Sequence, residues 1–217
     1  MAKTPALRYK NLFHYINKFK PKILMEIGVW NGKHAFEMIE CAKQHHPYFN
    51  ITYIGFDLFE SITDEEIENE YSKQDRYEVT EVLSRLVQTR VNVELHKGYT
   101  KDTIPEKAHS GKRLEADFIF IDGGHSLETI QTDWDNLQPF IGKNTVILFD
   151  DYWIGRTDAG CKVLIDNLDY LKWDVYLLEP LDVFPDKRIR MVRVVKKKNN
   201  WNRATNEQIA KLELQAA

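Results

Sequence analysis

With 217 residues, 43% of them hydrophobic, the chain can bury a full core as one sizeable domain and needs no second one. Its net charge of −3, with acids and bases mixed along the sequence, argues against a polyanion-binding surface, so no nucleic-acid partner is expected. The two cysteines, Cys41 and Cys161, form neither a metal-type pair nor a disulfide framework, which suits a reducing, cytoplasmic location.

In chain order, residues 1–20 are too broken by charge for a signal peptide, and no apolar run approaches the length of a membrane span. Leu12, Phe13, Ile16 and Phe19 recur at helical spacing, so this segment is expected to pack on the domain as a helix. Apolar, β-branched runs then predict strands at Lys22–Gly28, Tyr53–Phe59, Val91–Gly98, Ala116–Gly123 and Thr145–Asp151, with helical patterns mostly between them. Ser126 reads as the N-cap of a helix reaching Gln138, and a further helix is expected over Ala159–Leu171. The last strands, Trp173–Glu179 and Ile189–Lys197, are joined by a loop too short for a helical crossover and should pair antiparallel. The expected fold is therefore α/β: a Rossmann-like, seven-stranded, mostly parallel sheet with a C-terminal antiparallel hairpin and helices on both faces. It would occupy residues 21–198. Within it, the acidic insertion at 61–76 reads either as a solvated surface helix or as a lid, whereas Val79, Val82, Leu83, Leu86 and Val87 mark a core helix just after it. Residues 199–217 read as a short polar helix that docks on the domain or on another subunit, leaving a homo-oligomer open.

Ligands of open α/β sheets bind outside the carboxyl ends of the strands. At the first end, Gly28 and Gly32 bracket a tight turn into a helix, where backbone can approach a ligand closely. At the second, Asp57 ends a strand. An acid there accepts both hydroxyls of a ribose; a solvated loop acid is the plain alternative, and the preceding glycine turn favours the ribose. Gly98 and Tyr99 at the third end would border a flat base. The fourth end is "FIFIDGGHSLETIQTDW" and the fifth "VILFDDYW", which bring Asp122, Asp150 and Asp151 to neighbouring strand ends. Three ionised carboxylates in one pocket repel strongly unless a cation is present, and all-oxygen ligation suits Mg2+, with Mn2+ or Ca2+ as alternatives.

The order of elements, the E-I-G-V-W-N-G turn of residues 26–32, Asp57 and the terminal hairpin resemble the class I S-adenosylmethionine-dependent methyltransferases over nearly the whole chain. Within that family the fourth and fifth strand ends are similar to those of metal-dependent O-methyltransferases acting on sugar hydroxyls of antibiotics. The resemblance implies that Glu26, Gly28 and Gly32 shape the methionine and ribose end of a cofactor site and that Asp57 binds the ribose. It also implies that Asp122, Asp150 and Asp151 hold a divalent metal and that His125 is the base. The sequence departs from the family in lacking the central glycine of the first loop. No N/D-P-P-Y/F motif follows the fourth strand, which counts against amino methylation of bases.

The expected chemistry is methyl transfer to a hydroxyl of a small sugar, glycan or other diol-containing acceptor. A metal would acidify the hydroxyl, His125 would take its proton, and Gly123 and Gly124 would leave room for the acceptor. A backbone-bonded histidine at a helix start is the simpler alternative for His125. Among rival classes, a nicotinamide-dependent oxidoreductase lacks its three-glycine fingerprint here, and a metal-dependent phosphohydrolase gives Gly28 and Asp57 no role. A non-catalytic S-adenosylmethionine-binding module would not need His125 and the three aspartates.

Overall fold

The structure, a computed structural model, describes residues 6–70, 75–111 and 113–198. One sheet carries the fold, its strands being β1 (Ile23–Ile27), β2 (Thr52–Asp57), β3 (Asn92–Lys97), β4 (Ala116–Ile121), β5 (Ile141–Ile154), β6 (Trp173–Leu177), β7 (Asp182–Val183) and β8 (Arg188–Lys196). Their order is β3-β2-β1-β4-β5-β8-β6, with the two-residue β7 also paired to β8. The first five strands run parallel, and β8 lies antiparallel to both β5 and β6. The expected sheet is thus present, with β7 as an eighth, short strand inside the loop between the last two.

Both faces are covered, which is why Phe118–Ile121 of β4 are apolar without alternation and why β1 is apolar but for the buried Glu26. One core layer joins the sheet to α1 (Lys10–Phe19), α2 (Lys33–Lys43) and α4 (Val79–Leu86). The other joins it to α5 (Thr100–His109), α6 (Leu127–Leu137) and α7 (Lys162–Asp166). Leu12 and Ile16 of α1 are fully buried, so the N-terminal helix packs on the domain as its spacing predicts. The expected tail helix at 199–217 lies outside the described residues. Among those described, no helix is long and apolar enough to cross a membrane.

Two boundaries depart from expectation. Helix α7 has five residues instead of spanning Ala159–Leu171. Ala159 is bridged to Ser126 and Gly160 has φ +78°, so the helix cannot begin there; at the other end the Asp169 carboxylate accepts the Leu171 N–H and turns the chain. Strand β5 continues past Asp151 to Ile154 because β8 pairs with it there, Tyr152 opposite Arg190 and Trp153 opposite Ile189. The β5–β8 register shifts between Phe149 and Tyr152, and Asp151 has φ +55°. A bulge inside a strand, rather than a strand end, therefore presents Asp150 and Asp151.

Candidate active site

The strand order reverses between β1 and β4, where a doubly wound sheet leaves a crevice. A cavity of about 290 Å³ lies there, lined by Gly28, Asp57, Gly98, Tyr99, Asp122, Gly123 and Gly124 among others. The turn after β1 wraps close to its neighbour: at Gly28, φ +86°, a Cβ would come within 2.1 Å of the Asp122 carbonyl oxygen. Gly32 opens α2 with φ +72°. The missing central glycine is replaced by Trp30, which adopts φ +48° itself. Its indole N–H donates to the Asp75 carbonyl at 2.9 Å, tying the turn to the insertion. Asp57 holds this turn directly. One of its carboxylate oxygens accepts the N–H groups of Val29 and Trp30, both at 2.8 Å, and the other accepts the Phe59 N–H at 2.5 Å. Burial raises the Asp57 pKa against the pull of those three donors. Glu26 stands apart from the cavity wall. It is 1% exposed and accepts a hydrogen bond from the Tyr53 hydroxyl, and burial pushes its pKa up to about 8.

Oxygens of Asp122, Asp150 and Asp151 lie within 4.8 Å of one another, so the convergence expected from the sequence is present. Their counter-charge comes from Arg8, in a 3-10 turn (Leu7–Tyr9) ahead of α1. Arg8 Nε and Nη2 donate to the two oxygens of Asp150 at 2.5 and 2.8 Å, and Nη1 donates to Asp182 at 3.1 Å. The Tyr9 hydroxyl donates to Asp122 at 3.3 Å, and its ring stacks on His34 at 4.2 Å. Burial, then Asp150 and Asp151, hold Asp122 well above the usual carboxylate range, favouring its protonated form. A cluster of three aspartates is the right donor set for a hard cation. Five of the six carboxylate oxygens, however, already have protein partners, and with the Arg8 fork on both oxygens of Asp150 the arrangement does not fit a metal ion.

His125 Nε2 is 2.6 Å from Asp151 Oδ2, and Nδ1 is 2.7 Å from the Glu70 carbonyl oxygen. Both partners are acceptors, so both nitrogens carry protons in this arrangement. Burial would lower the His125 pKa, but the Asp151 bond and charge raise it overall; conversely, His125 holds Asp151 below the usual range despite its burial. Trp153 Nε1 donates to the other Asp151 oxygen at 2.8 Å.

The described part of the insertion contains α3 (Asp64–Asn69), started by a Thr63–Glu66 capping box. Its neighbours Ile62 and Glu70, and Glu66 within it, line the cavity, so the insertion covers the crevice instead of facing only solvent. The Glu70 carboxylate accepts the Ser126 N–H and the Ser126 and Thr129 hydroxyls, at 2.7, 2.9 and 2.6 Å. That changes the role expected of Gly124. A Cβ there would lie 2.6 Å from Glu70 Oε2, so the room left by this glycine is taken by Glu70 and not by an acceptor. At Gly123 a Cβ would meet Ile27 Cγ2 at 3.1 Å.

The structure thus places Gly28, Asp57, Gly98, Tyr99 and Asp122 on the cavity wall, whereas Gly32 is not part of that wall and packs against Val82 of α4. His125, Asp150 and Asp151 form an adjoining group. Sequence reasoning missed Arg8, Tyr9, Glu70 and Asp182. For Arg8 the three unbalanced acids were a signal, although they did not say which cation would answer it.

A doubly wound sheet with a glycine turn, an acid after β2 and a covered crevice at the switch point defines an α/β enzyme of nucleotide-cofactor type. Residues 25–152, more than half of the chain, match the methyltransferase domain family, and the chain belongs to that family. Solved structures share the fold. The O-methyltransferase TomG from Streptomyces achromogenes, in complex with SAM, is 14% identical with a TM-score of 0.63 over 90% of this chain and 82% of that one. An O-methyltransferase from Bacillus cereus, in complex with SAH, is 14% identical with a TM-score of 0.61 over 91% and 84%. An rRNA methylase from Streptococcus thermophilus is 11% identical with a TM-score of 0.57 over 90% and 99%. No curated protein matches the sequence.

Proposed function

We propose that this protein transfers a methyl group from S-adenosylmethionine to a hydroxyl of a sugar or similar small diol-containing acceptor. The observation that carries the reading is the His125–Asp151 pair beside the crevice. Asp151 orients the imidazole through Nε2, as the carboxylate of a hydrolase triad orients its histidine, and leaves Nδ1 to the backbone of Glu70, a residue of the cavity wall. In the structure Nδ1 meets the Glu70 carbonyl oxygen. A hydroxyl oxygen taking that place would face a base of the right type once His125 has shed a proton.

S-adenosylmethionine, when bound, supplies a sulfonium methyl that an oxygen lone pair takes by in-line displacement. The chain's own part is to orient and to accept a proton. Gly28 and Gly32 would let the backbone approach the cofactor, and Asp57, which keeps that turn in shape, would offer its remaining acceptor capacity to the ribose. His125 Nδ1 removes the hydroxyl proton as the carbon–oxygen bond forms, and Asp151 stabilises the resulting imidazolium. Metal assistance, the other half of the expectation, is not built into this step because Arg8 holds both oxygens of Asp150. The absence of an N/D-P-P-Y/F motif after β4 favours a hydroxyl over an amino acceptor.

Single-turnover methyl transfer from labelled S-adenosylmethionine to a panel of sugars and small diols tests this. His125→Ala should slow the chemical step by about 10²- to 10⁴-fold with cofactor affinity near wild type. The wild-type rate should rise with pH through a value above the usual histidine range, as the raised pKa of His125 requires. Turnover by His125→Ala with an unchanged pH profile would assign the proton to another group.

A further inference from the structure

The acidic cluster raises a question that does not depend on the acceptor: what balances its charge? Asp150 contributes a side chain with no exposed surface, and Arg8 is 8% exposed at its side chain, so neither charge is balanced by water. The guanidinium is bidentate on Asp150, 3.1 Å from Asp182 and 3.7 Å from Asp151. The backbone around it is fixed as well. The N–H groups of Leu7 and Arg8 donate to the two Asp182 oxygens at 2.9 and 3.3 Å, and the Asn11 side-chain amide donates to the Arg8 carbonyl at 3.0 Å.

We propose that Arg8 is the resident cation of the Asp122–Asp150–Asp151 cluster, standing where a divalent metal would otherwise sit, and that the wild-type protein needs no metal there. Three features carry this. A planar fork meets a carboxylate edge-on with two donors, which a surface arginine passing near an acid does not do. The residue next to it, Tyr9, caps Asp122, so one turn of chain serves two of the three aspartates. Asp182 has its own strand pairing to β8 and holds that turn, so the cation is delivered by a built support instead of a loose end. Removing one partner of such a buried set leaves uncompensated charge, and those oxygens would then be free to ligate an ion. Arg8 is accordingly a positioning residue: it keeps the β5 bulge, and with it Asp151, in register with His125.

The test uses Mn2+ alone as probe and reads binding and stability, not turnover. Wild-type protein should show an unchanged melting temperature in 1 mM Mn2+ or EDTA, and the electron paramagnetic resonance signal of free Mn2+ should not diminish on adding it. Arg8→Met keeps an unbranched, apolar stem and removes the charged guanidinium. It should melt lower than wild type, take up one Mn2+ per chain, and regain about 5 °C or more in 1 mM Mn2+. One Mn2+ bound per wild-type chain would overturn the proposal, because guanidinium and metal would then not be alternatives. Folded Arg8→Met that binds no Mn2+ would overturn it equally, since the aspartates would not form a cation site. The wild-type resonance titration needs no variant, so it decides the first point even if Arg8→Met does not fold.

Discussion

At the scale of single residues, this fold accepts local costs beside its crevice. Trp30 holds a left-handed backbone, at roughly 1–2 kcal/mol for a residue with a Cβ. Two Asp57 bonds to this turn and the indole bond to Asp75 offset it. Glu26 has a different cost. Its carboxyl is fully buried, with the Tyr53 hydroxyl as donor, and its pKa stands at about 8 against 4.5 for an ordinary glutamate. A carboxyl with a raised folded pKa contributes stability below its unfolded value and loses it as pH rises through the folded one, so wild-type stability should decline between about pH 4.5 and 8 on this account. Glu26→Gln keeps an acceptor for Tyr53 and does not titrate. Urea unfolding should therefore find the variant more stable than wild type at pH 8.5, by on the order of a few kcal/mol, relative to their difference at pH 5. Parallel pH profiles for the two proteins would mean that Glu26 is ionised in the fold or relieved by water.

Among the elements, the insertion is where chain order and function meet least predictably. Its capping box is readable from "TDEE", whereas its contact with α6 depends on Glu70 meeting Ser126 and Thr129 across 56 and 59 positions of sequence. Local pattern carries no information on such a pairing. Charge-assisted acceptance at a helix N-terminus makes the contact strong for a half-buried group. Glu70→Ala should loosen the cover while leaving the sheet intact. Release of S-adenosylhomocysteine, followed by stopped-flow tryptophan fluorescence, should be about tenfold faster, as a loss of about 1.4 kcal/mol implies. Amide exchange over α3 should rise with it. An unchanged release rate would make this contact a surface tie with no bearing on the crevice. The same limit explains the site as a whole. Gly28, Asp57, Asp122 and the Asp150–Asp151 pair were legible because each ends an apolar run of sequence. Arg8 and Asp182 were not, since their importance comes from a contact between the two ends of the chain. Helix α7 was overread because its apolar spacing outlasts the positions where Gly160 and Asp169 permit a helix.

For the whole molecule, alternation made the parallel sheet and its closing antiparallel pair readable, since parallel neighbours need crossovers and the short last loop does not supply one, whereas the order β3-β2-β1-β4-β5-β8-β6 comes from the structure. The consequence is that the crevice draws walls from the ends of β1, β2, β3 and β4 together with the insertion, so that a ligand filling it braces most of the sheet at once. On the proposed function that ligand is S-adenosylmethionine or its demethylated product. A ligand that binds only the folded state stabilises it by about 2.7 kcal/mol at a hundredfold excess over its dissociation constant. For a domain of this size, that is a rise in melting temperature of roughly 5–10 °C. S-adenosylhomocysteine at such a concentration should produce it, and NAD or ATP at the same concentration should not. Amide protection should increase along β1 and β4 and over α3, and much less on β6 and β8 at the far edge of the sheet. Equal stabilisation by NAD would return the nicotinamide reading to the front. Stabilisation by S-adenosylhomocysteine with protection confined to β6 and β8 would move the cofactor away from Gly28 and Asp57, and the assignment of Asp57 to the ribose would fall with it.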